Sequence, residues 1–140
     1  MSRTVHGKGP TKRVTTRTLT ARLAARLLRV WSKDTSSDPE NWSPSNPAWG
    51  QCAVTALVVQ DLLGGELLRC TVGHISHYWN RLPSGEEVDL TCDQFGDAIE
   101  MRNVELRTRH YVLQFPDTFR RYEDLRRRLA EDLPVAARGR

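Results

Sequence analysis

The chain has 140 residues, of which 39% are hydrophobic and 27% charged, and its net charge is +4 at pH 7. This length allows one domain with one hydrophobic core, and no run approaches the roughly twenty apolar residues that a membrane-spanning helix needs. Three cysteines cannot all pair with one another, and residues 1–8 lack the apolar segment of a secretory signal, so we expect a soluble cytoplasmic protein with reduced thiols.

The positive charge is concentrated towards the two ends of the chain. Basic residues crowd residues 3–17 and 120–140, whereas the middle is close to neutral. In the second stretch Glu and Asp alternate with Arg, a pattern typical of ion pairs along a solvent-exposed helix. No zinc-finger or RNA-binding signature accompanies these residues, so we do not expect nucleic acid as a partner.

The composition divides the chain into three parts. Residues 1–15 carry Gly, Pro, Thr and Lys without an apolar period, which predicts a flexible basic arm. A single domain is predicted over residues 16–134, and residues 135–140 are expected to form a frayed tail.

An N-terminal helix is predicted from Thr18 or Thr20, because apolar residues then recur at steps of three and four as far as Trp31. Residues 32–47 form a long loop with three prolines, each of which disfavours helix in the residue before it. Loops of this length in compact domains are usually functional or disordered, and Trp42 carries too much apolar surface for disorder. We therefore expect the loop to border a site.

A second helix is predicted from about Gln51 to Leu62 or Leu63, apolar nearly all round and ended by two glycines. Strands are expected over residues 66–72, 76–82 and 86–90. The later elements are expected to be a short helical turn over 92–103, a strand over 110–115, and a closing helix over 117–133 capped by Asp117 or Thr118. Together these elements predict an α+β fold, with both early helices packed on an antiparallel sheet.

Cys52 is the first candidate for chemistry. It lies between the turn-forming residues 46–50 and the apolar second helix, so its thiol is expected at a helix N-terminus. Free backbone N–H groups and the positive end of the helix dipole favour thiolate there. His77 and Asp89 follow along the chain as candidates for the base and for the carboxylate that orients it. The three residues predict a Cys-His-Asp triad, which needs no cofactor.

The turn between the last two strands decides whether His77 and Asp89 can meet. Side chains alternate across a strand, so His77 shares a face with Trp79. A two-residue turn would point Asp89 away from His77. A three-residue turn, Pro83-Ser84-Gly85, places Asp89 opposite Trp79 and diagonal to His77 on one face. Proline followed by glycine in the left-handed position favours this second register.

Other residues near the triad are assigned supporting roles. Gln51, with Asn46 behind it, is the nearest side-chain donor for the oxyanion of an attacked carbonyl, beside the backbone N–H of Cys52. Cys70 and Cys92 are expected to be structural. The side chains expected to contact substrate are Trp42, Trp49, Trp79 and Asn80.

Several alternatives stay open. His74 is a rival base, Asn80 a rival orienting residue with the wrong strand parity for His77, and Asp93 a weaker rival. The protein could also be a binding module of the same fold without activity. A zinc site is a further alternative, although no CxxC or HExxH spacing is present, and its ligands would be Cys52, His74, His77 and either Cys70 or Cys92.

Several segments resemble the YunG-like family of small bacterial proteins. They are residues 38–42, 46–52, 77–80 and 88–91, and the resemblance covers about residues 16–100. It implies a papain-like or transglutaminase-like fold, in which a helix carrying the cysteine packs on an antiparallel sheet carrying histidine and then aspartate. These roles fall on Cys52, His77 and Asp89. We expect a hydrolase or acyl transferase that acts on an amide or related acyl bond of a small-molecule or peptide substrate through a covalent Cys52 intermediate.

Overall fold

The computed structural model describes residues 14–92 and 101–132. The predicted arm over residues 1–15 and tail over residues 135–140 lie outside this range, apart from residues 14 and 15. Within the described range, the elements in chain order are α1 (Thr16–Val30), a 3-10 turn (Lys33–Thr35), α2 (Cys52–Leu63), β1 (Glu66–Val72), β2 (Ile75–Arg81), β3 (Glu87–Val88), β4 (Arg102–Arg107), α3 (Arg109–Leu113) and α4 (Pro116–Glu131). None of these helices combines the length and apolarity that crossing a bilayer requires.

The fold is α+β, as predicted, with one antiparallel sheet in the order β3-β2-β1-β4. Helix α2 packs on one face of this sheet, as expected, and also contacts α4. The element that α1 mainly contacts is α4 and not, as expected, the sheet. Leu67 and Tyr78 on that face belong to the same buried cluster as Leu57 of α2 and Leu27 of α1. Each such buried side chain contributes about 1.5–3 kcal/mol through removal from water, so this cluster provides the main stabilisation of the fold.

Helix α1 begins at Thr16, slightly earlier than expected. The side chain of Thr15 accepts a hydrogen bond from the backbone N–H of Thr18 at 3.1 Å, which caps the helix before the first apolar residue. At the other end, the indole N–H of Trp31 donates to Thr55 Oγ1 in α2 at 3.0 Å. The apolar stripe is buried from Leu23 onwards, as its spacing predicted, whereas its first residue, Leu19, is 41% exposed.

The hairpin between β2 and β3 has the predicted register. Asn80 pairs with Val88, and Gly85 adopts a φ of +93° in the three-residue turn. The strand is shorter than expected, because β3 ends at Val88. After it, the Asp89 carboxylate accepts the backbone N–H of Thr91 at 3.1 Å, which turns the chain out of the sheet direction.

Of two expectations for the region after Thr91, the strand is wrong and the helical turn is wrong at its end. Residues 93–100 of the turn expected over residues 92–103 lie outside the described residues, and its last two residues belong to β4, which pairs with β1. The strand expected over residues 110–115 is mostly the helix α3. Thr108 caps α3 by accepting the backbone N–H of Tyr111 at 3.0 Å, a local signal that outweighs the strand preference of Tyr111 and Val112.

The closing helix is present as α4, but its expected cap is wrong. Neither Asp117 nor Thr118 is the N-cap, because the helix begins at Pro116 with Phe115 before it. Proline is favoured in the first helical turn, where its missing N–H costs no hydrogen bond. Asp117 instead bonds Arg121 at 2.8 Å, one turn along the same helix.

The loop that leads to α2 is held by its own polar contacts. The indole N–H of Trp49 donates to Asp38 Oδ2 at 3.0 Å, and that of Trp42 donates to the carbonyl oxygen of Pro47 at 2.9 Å. The backbone N–H of Ser37 donates to the carbonyl oxygen of Gly50 at 2.9 Å. Gly50 has a φ of +74°, and a Cβ there would overlap the Ser36 hydroxyl. The two halves of the loop therefore close on each other through a residue without a side chain.

We predict that Gly50→Ala destabilises the protein more than Gly73→Ala. Both glycines have positive φ, which costs a residue with a Cβ about 1–2 kcal/mol. A Cβ at residue 73 meets open space, whereas one at residue 50 lies 2.9 Å from the backbone nitrogen of Ser37. Urea unfolding should show an additional loss of about 1–3 kcal/mol for Gly50→Ala. Equal losses in the two variants would contradict this packing of the loop.

Candidate active site

Cys52 is the first residue of α2 and is 9% exposed. Its Sγ lies 3.7 Å from the carbonyl oxygen of Ser76 in β2. The residue before it, Gln51, is the helix N-cap and makes no capping hydrogen bond with its side chain. The first N–H groups of α2 have no carbonyl partner within the helix, so they point their partial positive charge towards the region of the thiol.

His77 is fully buried in β2 and bonds Asp89 directly. The distance between His77 Nε2 and Asp89 Oδ2 is 2.6 Å. The other carboxylate oxygen, Oδ1, accepts the backbone N–H of Thr91 at 3.1 Å and its hydroxyl at 3.3 Å. Asp89 is thus held on both oxygens, and it fixes the plane of the imidazole in turn.

The contacts of His77 favour its protonated form. Burial lowers the pKa of the imidazole, but the hydrogen bonds with Asp89 and Cys52, together with the charges of these two groups, outweigh burial and raise the pKa from 6.5 to about 9. Because Asp89 occupies Nε2, Nδ1 is the ring nitrogen that is left for an interaction with the thiol. The imidazole therefore joins the sulfur and the carboxylate, and it carries the positive charge between them at neutral pH.

The thiol and the imidazole meet beside the strand. Alternation places His77 on the opposite face of the sheet from Tyr78, which packs with α2. Strand β3 pairs only with the end of β2, at Asn80 and Arg81. Around Ser76, β2 therefore has no second neighbouring strand among the described residues, and the tip of α2 reaches it there. This geometry brings the Cys52 thiol to the residue before His77, although the histidine does not face the helix.

Trp79, which the sequence predicts as a substrate contact, is nearly buried and stacks on the ring of His77. Their ring centroids lie 5.7 Å apart with an interplanar angle of 18°, and Trp79 is only 5% exposed. The indole N–H donates to Glu87 Oε1 in β3 at 2.8 Å. The stack limits rotation of the imidazole, so Trp79 supports the hydrogen bond to Asp89.

The other expected substrate contacts divide into two groups. Trp42 and Trp49 are half-buried in the loop before α2, with their indole N–H groups already bonded within that loop. Asn46 is also half-buried, and its carbonyl oxygen accepts the backbone N–H of Trp49 at 3.1 Å. These three residues keep surface that a substrate can reach.

Gln51 and Asn80 are buried, and their side-chain amides bond backbone carbonyl oxygens. Gln51 is 0% exposed and its amide donates to the carbonyl oxygen of Ser32 at 3.0 Å. Asn80 is 2% exposed and donates to the carbonyl oxygen of Ala56 at 2.9 Å, on the face opposite His77. Both amides attach α2 or its N-cap to neighbouring backbone. Neither offers the surface that its expected role in oxyanion or substrate binding needs.

The alternatives to the triad receive no support from the described residues. His74 lies in the exposed turn between β1 and β2, whereas His77 makes the contacts with thiol and carboxylate. Asp93 lies outside the described residues. Cys70 is buried beside His77, where burial and the charges of Asp89 and Cys52 raise the pKa of its thiol, while Cys92 is exposed. Among the described residues no three His, Cys, Asp or Glu side chains are grouped to hold a metal ion.

Sequence reasoning missed two supporting residues, Thr91 and Glu87. Asp followed two residues later by Thr is a common pattern for a carboxylate that bonds the backbone ahead of it, so Asp89 and Thr91 carried a signal. Glu87 follows from the register, because it lies diagonal to Trp79 on the same face of the hairpin. With the three-residue turn, the sequence therefore predicts part of the hydrogen bonding of the site.

Comparison with known proteins agrees with the resemblance in the sequence. The family model described as "YunG protein" matches residues 19–134. An uncharacterized protein YunG of Bacillus subtilis (strain 168) is 37% identical over 78 residues, which cover 56% of this chain and 64% of that relative, a little under two thirds of its length. No solved structure matches the chain. The chain belongs to the YunG family.

We predict that the His77 ring titrates near pH 9, and that Asp89→Asn lowers this midpoint, since the hydrogen bond and charge of Asp89 raise the pKa of His77. NMR titration of the ring protons measures both values. Asp34→Asn, which removes a carboxylate bonded to Arg128, should leave the midpoint unchanged. A wild-type midpoint at or below 6.5 would mean that burial outweighs the carboxylate.

The same shift predicts a pH dependence of stability. Folding raises the pKa of His77 from 6.5 to about 9, so the protonated ring stabilises the folded state fully below pH 6.5 and loses this effect as pH rises to about 9. The difference in unfolding free energy between wild type and Asp89→Asn should be about 1–3 kcal/mol near pH 6 and should narrow towards pH 9. A difference that grows over this interval would contradict the protonated state of the pair.

Proposed function

We propose that this YunG-family protein is a thiol-dependent hydrolase or acyl transferase that attacks an amide or related acyl bond through Cys52. The supporting observation is the buried imidazole of His77, which bonds Asp89 at 2.6 Å through Nε2 and whose pKa is raised by Asp89 and by the nearby Cys52 thiol. A nucleophile, a base and a carboxylate that orients the base are the parts that thiol enzymes need.

The reaction begins with the proton of Cys52 on His77. The thiolate attacks the substrate carbonyl carbon, and a carbon–sulfur bond forms as the carbonyl oxygen takes the negative charge. When the tetrahedral intermediate collapses, the carbon–nitrogen bond breaks and His77 gives its proton to the departing amine. This leaves a thioester on Cys52. Water or a second amine then attacks the thioester, His77 accepts its proton and returns it to the sulfur, and an acid or a new amide leaves.

The negative charge on the carbonyl oxygen needs donors near Cys52. The backbone N–H groups at the start of α2 supply them, because the helix cannot bond them internally. The buried amide of Gln51 is bonded to Ser32 and is therefore a weaker candidate. We assign the oxyanion site to the N-terminus of α2.

The fold that this function implies is papain-like or transglutaminase-like. Two observations support this assignment: the cysteine begins a helix that packs on an antiparallel sheet, and the histidine follows on strand β2 and the aspartate directly after strand β3. We place the reaction in the reducing cytoplasm, since it requires a free thiol and both Cys52 and Cys70 are free.

Selective alkylation tests the proposal. By exposure alone, Cys92 should react with iodoacetamide before Cys52, which is 9% exposed, and well before Cys70, which is 0% exposed. If His77 activates Cys52, the thiol of Cys52 should instead be alkylated at least about tenfold faster than that of Cys92. Peptide mass spectrometry at neutral pH measures the rate at each cysteine.

The control variants separate activation from access. His77→Ala should slow alkylation of Cys52 by about tenfold or more, whereas His74→Ala, in the adjacent exposed turn, should not change it. His77→Asn repeats the test with a residue of polar character if His77→Ala unfolds the protein. Slow alkylation of Cys52 that is unaffected at residue 77 would indicate a binding module instead of an enzyme.

A further inference from the structure

A groove of about 310 Å³ opens between α1, the loop before α2 and the residue that follows Asp89. Its volume is at the lower end of the range for small-molecule sites, about 300–1,000 Å³, so it suits one small chemical group. Most of its lining is apolar. The apolar residues of the lining are Ala24, Leu28, Trp31, Pro47, Ala48 and Leu90.

The groove is lined by residues that are close along the chain to the candidate active site. Leu90 follows Asp89, whose carboxylate bonds His77, and consecutive Cα atoms are about 3.8 Å apart. On the other side, the carbonyl oxygen of Ala48 accepts the backbone N–H of Gln51 at 3.1 Å, in the turn directly before Cys52. One wall of the groove therefore includes the residue after the triad carboxylate, and the other includes a residue that bonds the N-cap of the helix carrying the thiol.

The lining points to an uncharged apolar ligand. None of its side chains is charged, although 27% of the chain is charged, and the two polar ones are the neutral Ser45 and Asn46. Two other cavities of the described residues each contain both acidic and basic side chains. Leu28 at the groove is 59% exposed, an apolar surface that gains from being covered.

We propose that this groove binds an uncharged apolar group of the acyl-type substrate, a short aliphatic or aromatic group close to the bond that Cys52 attacks. The inference rests on the proposed function and specifies its substrate class. Ser45 and Asn46 supply neutral polar contacts at one part of the lining, which suits an amide or ester next to the apolar group.

A pair of chloroacetamides tests the groove. Cys52 displaces chloride from either reagent to form a thioether, but only N-benzylchloroacetamide carries an apolar group. Relative to its reactivity with glutathione, the benzyl reagent should alkylate wild-type Cys52 about tenfold faster than chloroacetamide, since burying such a group contributes about 1.4 kcal/mol or more. Peptide mass spectrometry gives both rates.

Variants of α1 identify where the preference arises. Ala24→Phe fills the groove and Leu28→Glu adds a charge to it, so both should remove the benzyl preference, measured as the ratio of the two alkylation rates in each variant. Leu19→Glu, at a 41% exposed position of the same helix outside the groove, should keep the preference.

The outcomes separate the two proposals. If chloroacetamide reacts with Cys52 independently of His77, the proposed function fails. If the reaction depends on His77 but wild type shows no benzyl preference, or the preference survives in both Ala24→Phe and Leu28→Glu, the groove inference is overturned and the proposed function stands.

Discussion

The site depends on the hydrogen bond between His77 and Asp89, at 2.6 Å between a fully buried imidazole and a carboxylate. Burial by itself lowers the pKa of His77 and would leave it neutral. The carboxylate and the thiol reverse this, so the ring carries a proton at neutral pH. That bond exists because Gly85 completes a three-residue turn with positive φ; a register shifted by one residue would turn Asp89 to the other face.

The two faces of β2 perform different tasks, and alternation of side chains assigns them. Tyr78 and Asn80 face α2, and the Asn80 amide attaches the helix to the strand by donating to Ala56. His77 and Trp79 face the other way and form a stacked pair whose indole is held by Glu87. The two faces of β2 meet at the Cys52 thiol, because α2 begins beside β2 beyond the end of the short strand β3. Stability of the helix packing and placement of the nucleophile thus come from the same strand.

The parts of the fold that were predictable are those in which local chemistry and core packing agree. The apolar run after Cys52 gave α2, and Pro83 with Gly85 gave the hairpin register, from which the His77–Asp89 contact follows. The wrong predictions concern residues whose roles are determined by burial. Gln51 and Asn80 stand beside site residues in the sequence, yet backbone carbonyls distant along the chain take their amides. Over residues 101–115, the sequence pattern predicted short elements whose residues have mixed propensities. In the structure, pairing with β1 determines β4, and the cap at Thr108 determines α3.

Trapping of an acyl group tests the central claim most directly. With p-nitrophenyl acetate, a thiol activated by His77 predicts a burst of nitrophenol and one acetyl group on Cys52, seen by intact-mass and peptide mass spectrometry. The acetyl group should be absent in Cys52→Ser and strongly reduced in Asp89→Asn. Acetylation that spreads over exposed nucleophiles such as Cys92, with none at Cys52, would contradict a catalytic triad in this protein.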